Sequence, residues 1–444
     1  MKRWGLLLLV GLLTMFILVA CSGKDDASTD EKGSDSGSKS SDEEITLKFV
    51  HWINEDVGKW ESVIAKYEEA NPGIKIESIP LVENMNATDY YKQLDLMASA
   101  GDDMDMILFN TPQELAKRID AGLVDPITEF TKSEGIEVND VYNNPFPAFN
   151  GEYYGLPMKN ITMLVMLNKA HLDEAGLEIP TEWTWDEYAE YAKKLTTDDH
   201  FGSYLHSWHW FHSQVMLMGK KDDNLIISED GTSNADDEAL RASLELRNRL
   251  ENVDKSSVPF TEILSQKLDY RQQFFSQAAS MTPTGSFMIN EWGQFTPEFE
   301  IAWAPYPKSN TSDEALAPMS GDLITIAKNS KHKQEAYDFM RWITTEGIVE
   351  QGIWTPAWKE ADMSKSLESV VNATAKPEAV HLESLKHTLT SVSSVKVYAP
   401  PGYMSEANNE FAAEAELYLL GEQDLDKTMK NIEEKVQAIV DANK

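Results

Sequence analysis

His206, His209 and His212 stand three residues apart, with Trp208 and Trp210 interleaved among them. Imidazoles at that spacing raise the question of a metal site. A metal would also need carboxylates brought to it in space, and satisfied surface or pocket histidines are the simpler reading. The two tryptophans, two residues apart, would share one face of a strand; on a loop they would bracket a planar ring. Asp322 opens an apolar run directly after Ser320-Gly321. An acid there is costly unless it faces a cleft or caps a helix. Carboxylates are plentiful, so composition alone leaves a glycan-hydrolase pair open. The sequence contains no G-x-S-x-G elbow, no HExxH and no phosphate-binding P-loop. The acidic stretch 222–238 lacks the alternating oxygen ligands and closing Glu of a calcium loop. No catalytic residue, metal or cofactor is assigned, and the chemistry in view is recognition rather than reaction.

The stretch 150–169, NGEYYGLPMKNITMLVMLNK, is the element that would position such groups. It opens on the turn pair Asn150-Gly151, then joins two short apolar runs through Lys159, Asn160 and Thr162. The pattern predicts an extended segment that leaves one packed layer and enters a second, its polar middle exposed in the gap. A gap of that kind is where small ligands bind. Before it, strands at 45–52, 74–78 and 106–109 alternate with helices, the first carrying Trp60, Val63, Ile64 and Tyr67 and ended by Asn71-Pro72-Gly73. Strands alternating with helices predict a mainly parallel α/β sheet covered on both faces. Thr184 and Glu187 have capping-box spacing. Further strands are expected at 281–287, 301–305 and 323–327, and an amphipathic helix closes the chain from Leu425.

At 444 residues the chain is expected to hold two or three domains. A net charge of −35 excludes nucleic acid as a partner, since phosphate binding needs a basic face. The lone cysteine, Cys21, rules out an intrachain disulfide and a Cys-based zinc site. Basic Lys2-Arg3 precedes an apolar run ending Leu18-Val19-Ala20-Cys21, which resembles the lipobox of bacterial lipoproteins. That reading makes 1–20 a signal peptide and Cys21 a lipid-carrying terminus; the alternative is an uncleaved membrane anchor. Residues 21–44, Ser-, Gly- and acid-rich, are expected to be a disordered tether.

From residue 45 onward the layout resembles the family 1 extracellular solute-binding proteins of ABC importers. The resemblance rests on landmarks in register: Trp52, Asn71-Pro72-Gly73, Ser99-Ala100-Gly101, the Ala121–Pro126 segment, Tyr154-Gly-Leu-Pro157, Asn168-Lys169 and Ala175-Gly176, then 274–285, 321–327 and 421–440. It implies a type II, two-lobe periplasmic-binding-protein-like fold with mostly parallel sheets and several crossings. The first lobe would be 45–157 and 305–353, the second 158–304 and 354–444, with crossings at 150–169, 301–306 and 354–358. The implied ligand is a sugar or oligosaccharide, with a polyamine, chelate or peptide as the alternative solute. The implied partners are ABC permease subunits and, through the lipid anchor, the membrane. The implied protein is a monomer on the extracytoplasmic face of a Gram-positive cell. Sugar hydroxyls want amides and carboxylates, and sugar C–H faces want aromatic plates. The resemblance carries that role to Trp52, Asn54, Glu55, Phe109, Asn110 and Asp322 in the first lobe. It gives the same role to Asn160 at the crossing, and to Trp208, Trp210, Phe287, Trp354 and Tyr403. Glu55 departs from relatives that carry a base there.

Overall fold

The computed structural model describes residues 44–444 apart from 84, 209–213 and 312. Residues 1–43, with Cys21, and His209, Trp210 and His212 lie outside the described residues.

The alternating apolar residues of Ile45–His51 and Ile74–Pro80 form β1 and β2, paired in parallel across the helix Trp60–Ala70. That helix turns Trp60, Val63, Ile64 and Tyr67 inward at the 3.6-residue period. The helix Ala87–Ala100 ends at Gly101 in the left-handed region, and the fully buried β3 (Met106–Phe109) enters on the other side of β1. β4 (Val124–Asp125) follows the helix Pro112–Asp120. Asn150 and Gly151 both take positive φ, 53° and 82°, the backbone a two-residue turn requires. They lead into β5 (Gly155–Asn168). Later strands are β6 (Phe201–Ser203), β7 (Ala279–Gly285), β8 (Ile301–Pro305), β9 (Leu316–Ala317), β10 (Met319–Ala327) and β11 (Ser393–Ser394).

Among the described residues, nine of these strands form one sheet in the order β2-β1-β3-β10-β5-β7-β6, with β4 on β10 and β8 on β5. The sheet is mixed rather than mainly parallel. β10 runs antiparallel to β3 and β5, and β5 runs antiparallel to β7 and β8. Helix–strand alternation in the first third of the chain indicated parallel pairing correctly there. The two long strands that return through the middle of the sheet reverse it.

β5 changes partners halfway along its length. Residues 155–162 pair with β10, and Met163 to Asn168 pair with β7 and β8. The apolar interior divides at the same point. Leu156 and Met158 belong to a cluster with Leu47, Phe49, Leu108, Ile324 and Phe339. Beyond it the strand alternates faces with period two. Ile161, Met163, Val165 and Leu167 pack with Trp185, Tyr188 and Tyr306. Leu164 and Met166 pack with Phe274, Trp292 and Trp303. A fourth cluster joins Leu240, Phe411, Ile432 and Val436 of the later helices.

β8 lies wholly in the second and third clusters, so the return to the first core does not run along 301–306. It runs along 319–323 of β10, since Ala317 packs in the second cluster and Leu323 in the first. Trp354 and Ala357 sit in the first cluster and Leu367 in the third, so the chain passes back after 354–358.

The polar middle of β5 is covered, contrary to its expected exposure. Lys159 is 4 % exposed and Thr162 7 %. Segment 354–358 lies against this part of the strand. Asn160 N donates to Thr355 O (3.0 Å) and Ala357 N to Met158 O (3.0 Å).

Candidate functional site

Two glycines allow the close approaches on which the site is built. A Cβ at Gly321 would lie 2.2 Å from Lys159 O, so only glycine lets β10 sit this close to β5. A Cβ at Gly285 would meet Ile161 Cγ2 and the Phe287 ring, both at 2.7 Å. Beyond Gly285 the single turn Ser286–Ile289 carries Phe287 back over the middle of β5.

At that middle lies a buried ion cluster. The Lys159 ammonium is 3.1 Å from Asp322 Oδ2 and 3.3 Å from Glu291 Oε1, and it sits 4.6 Å over the Trp354 ring. The Asp322 contact is close in distance but outside hydrogen-bond alignment, so neither Asp322 oxygen has a hydrogen-bond partner among the described residues. Glu291 O accepts from Arg271 Nε (2.7 Å), and the guanidinium lies 3.9 Å from Glu291 Oε2. Two cations and two carboxylates thus neutralise one another. Burial pushes the Asp322 carboxyl up to about 6; Lys159 opposes that rise and Glu291 adds to it. Burial disfavours the Lys159 ammonium, yet its two carboxylates hold its pKa above the ordinary lysine range.

Rings continue the path on the far side. Arg271 lies 4.6 Å over Tyr270, and Tyr270 meets His206 (4.4 Å) and Trp208 (5.3 Å). His206 stacks on Trp208 at 4.4 Å. Burial, helped by Arg271 and Arg247, drives the His206 pKa down to about 3, against the hydrogen bond that its ring donates to the Pro283 carbonyl. His206 is therefore neutral at physiological pH. Trp208 and Phe287 are half-buried and pack against both the second and third clusters. On the first side, Trp354 packs on Trp60 (5.7 Å).

A small cavity, about 10 Å³, is lined by Lys159, Asn160, Ser286, Phe287, Asn290 and Trp354, among others. It thus brings together three of the residues expected from the sequence: Asn160, Phe287 and Trp354. Asp322 stands behind it on Lys159. Trp208 reaches the same region through Tyr270 and Arg271.

The remaining candidates have local duties. Trp52 packs on Tyr90 (5.3 Å). Asn54 caps the turn Glu55–Gly58 by accepting from Val57 N, and Glu55 accepts from Glu61 N. Phe109 has no exposed surface and stacks with Tyr91, whose hydroxyl bonds Asn110 Oδ1 (2.7 Å). Tyr403 is half-buried against the fourth cluster. Of the histidines, His206 is buried among rings, while His171 bonds Ser280 Oγ (2.8 Å) and stacks on His200. No metal-holding cluster occurs among the described residues.

Glu291, Arg271 and Asn290 were not found from the sequence. The usable signal was Glu291 itself, the first charge after the uncharged run 272–290 and the neighbour of Trp292.

The family of bacterial extracellular solute-binding proteins matches over residues 53–350. A multiple sugar-binding protein of Streptococcus mutans is 26 % identical over 374 residues, covering 79 % of this chain and 80 % of its own. A solved ABC substrate-binding protein from Listeria monocytogenes, in complex with cycloalternan, superposes with a TM-score of 0.71 at 18 % identity. It covers 89 % of this chain and 98 % of its own. A sugar transporter structure from Rhizobium etli, in an open conformation, gives 0.69 at 20 % identity over 89 % of this chain and 99 % of its own. The common architecture is the type II, two-lobe periplasmic-binding-protein-like fold. With a split core, a strand that passes from one part to the other and a family match over most of its length, this chain belongs to the bacterial extracellular solute-binding proteins.

Proposed function

We propose that the protein is the extracytoplasmic binding component of an ABC importer and captures a sugar or oligosaccharide where β5 passes from the first core to the second. The observation that carries this is the pair of half-buried rings, Trp208 and Phe287, beside the neutralised ion cluster. Rings supply plates for sugar C–H faces, and amides such as Asn160 supply hydroxyl partners. A relative named for multiple sugars and a structural neighbour holding cycloalternan support the same ligand class.

The lobes would be the first cluster on one side and the remaining clusters on the other, closing on the guest and releasing it unaltered to permease subunits. We take the chain to act as a monomer, held at the outer face of the cell membrane through a lipidated Cys21 after removal of residues 1–20. A calorimetric panel of neutral mono- and oligosaccharides against polyamines tests the ligand class. Saturable heat with at least one sugar is expected; heat with polyamines alone, or hydrolysis of a glycan, would overturn it.

A further inference from the structure

The cavity over β5 is surrounded by polar groups that are mostly engaged. Lys159 is held by Asp322 and Glu291. Ser286 Oγ accepts from Thr162 N (3.1 Å), and Asn290 Nδ2 donates to Ile353 O. Two groups on the lining residues are not engaged. Trp354 is only 3 % exposed, yet its Nε1 has no hydrogen-bond partner among the described residues; the same holds for the buried Asn160 Oδ1. One is a donor that cannot accept, the other an acceptor that cannot donate. Leaving either dry is expensive, because the full desolvation cost of the group is then unrecovered.

A hydroxyl is matched to both atoms, since its oxygen accepts while its hydrogen donates. A carboxylate has no proton for Asn160 Oδ1, and an ammonium has no lone pair for Trp354 Nε1. A volume of about 10 Å³ admits one group of the size of water and little more. The surroundings enforce neutrality as well. The nearest charges, Lys159, Asp322, Glu291 and Arg271, are already matched two against two in a low-dielectric site. An added charge of either sign would find no free countercharge among these four groups and would still lose its hydration.

We infer that this cavity is a one-hydroxyl subsite at the floor of the ligand region, reading an uncharged polyol unit through Trp354 Nε1 and Asn160 Oδ1. The inference rests on the sugar-binding reading and narrows it to neutral guests, against uronates, phosphorylated sugars and amines.

The test is calorimetric, using maltotriose, mannotriose and cycloalternan to find a sugar that binds, then its monodeoxy analogues and its uronate counterpart. Trp354→Phe keeps a ring under Lys159 and deletes the donor. The expected result is a weakening of about tenfold for the parent sugar. One monodeoxy analogue should bind wild type and variant equally, because it lacks the hydroxyl being read. The uronate counterpart should bind at least about a hundredfold more weakly than the neutral sugar. Asn160→Ala should reproduce the pattern on the same hydroxyl, which keeps the test open if Trp354→Phe does not fold. Equal weakening of every analogue, unchanged affinity in both variants, or a water joining the two atoms in a sugar-bound crystal structure would overturn the subsite and leave sugar binding standing. Failure of every neutral sugar to bind wild type would instead remove the sugar reading, and the subsite with it.

Discussion

Lys159→Met is the sharpest single perturbation of this site. It conserves the stem and removes the charge. The two carboxylates left behind are buried, Asp322 at 1 % and Glu291 at 9 % exposure. Removing one partner of a buried ion pair costs about 3–5 kcal/mol, because the other charge stays desolvated and unpaired. Loss of the cation–π contact with Trp354 adds roughly 0.5–2 kcal/mol. Protonation offers partial relief. Asp322 already titrates at about 6, one unit below pH 7, and each unit is worth about 1.4 kcal/mol. A net loss of about 2–5.5 kcal/mol at pH 7 follows. At pH 5 Asp322 is mostly protonated in both proteins, and the loss should shrink to about 1–2 kcal/mol. Urea unfolding followed by tryptophan fluorescence at the two pH values measures both figures. A loss below about 1 kcal/mol at pH 7, or equal losses at both pH values, would refute the idea that Lys159 is the counterion of a buried acid pair.

Phe287→Ala should weaken sugar binding by about 1–3 kcal/mol while the melting transition stays cooperative; calorimetry reporting unchanged affinity would remove this ring from the site. Gly321→Ala places a methyl where Lys159 O stands 2.2 Å away, so β10 must shift and stability should fall by about 1–3 kcal/mol in urea melts. A neutral outcome there would mean that the β5–β10 spacing is not fixed at this register. Asp322→Asn tests the raised acid. Its folded pKa of about 6 exceeds the ordinary 3.8, so the folded state holds the proton more tightly and the wild type loses stability as pH rises from about 4 to about 6. The stability difference should therefore move in favour of the Asn variant across that window and level off above it. A flat difference would show that Asp322 is not raised.

Much of the scaffold was readable because it is local. The spacing of Trp60, Val63, Ile64 and Tyr67, the stop at Gly73 and the Thr184–Glu187 capping box depend on neighbours within a turn or two, and each is in place. The continuity of residues 150–169 was visible as two apolar runs with no loop between them, and it became one strand. The covering of its polar middle was not visible. That depends on segment 354–358 and on Asp322 and Glu291, which arrive from more than 130 residues away in sequence. A lysine between apolar runs reads as exposed until its counterions are located. The antiparallel centre of the sheet was hidden for the same reason, since the direction of β10 beside β5 is set by topology and not by its own alternation. Among the site residues, Phe287 after its glycine turn and Trp354 at its crossing both line the cavity, whereas Phe109, which ends β3, is fully buried and does not line it.

A crystal structure of the protein grown with the tightest-binding neutral oligosaccharide is the most direct trial of where and what it holds. The account predicts the intact sugar against Phe287 and Trp208, with one hydroxyl reaching Trp354 Nε1 and Asn160 Oδ1. A sugar seated away from the middle of β5, or a cleaved product in its place, would contradict it.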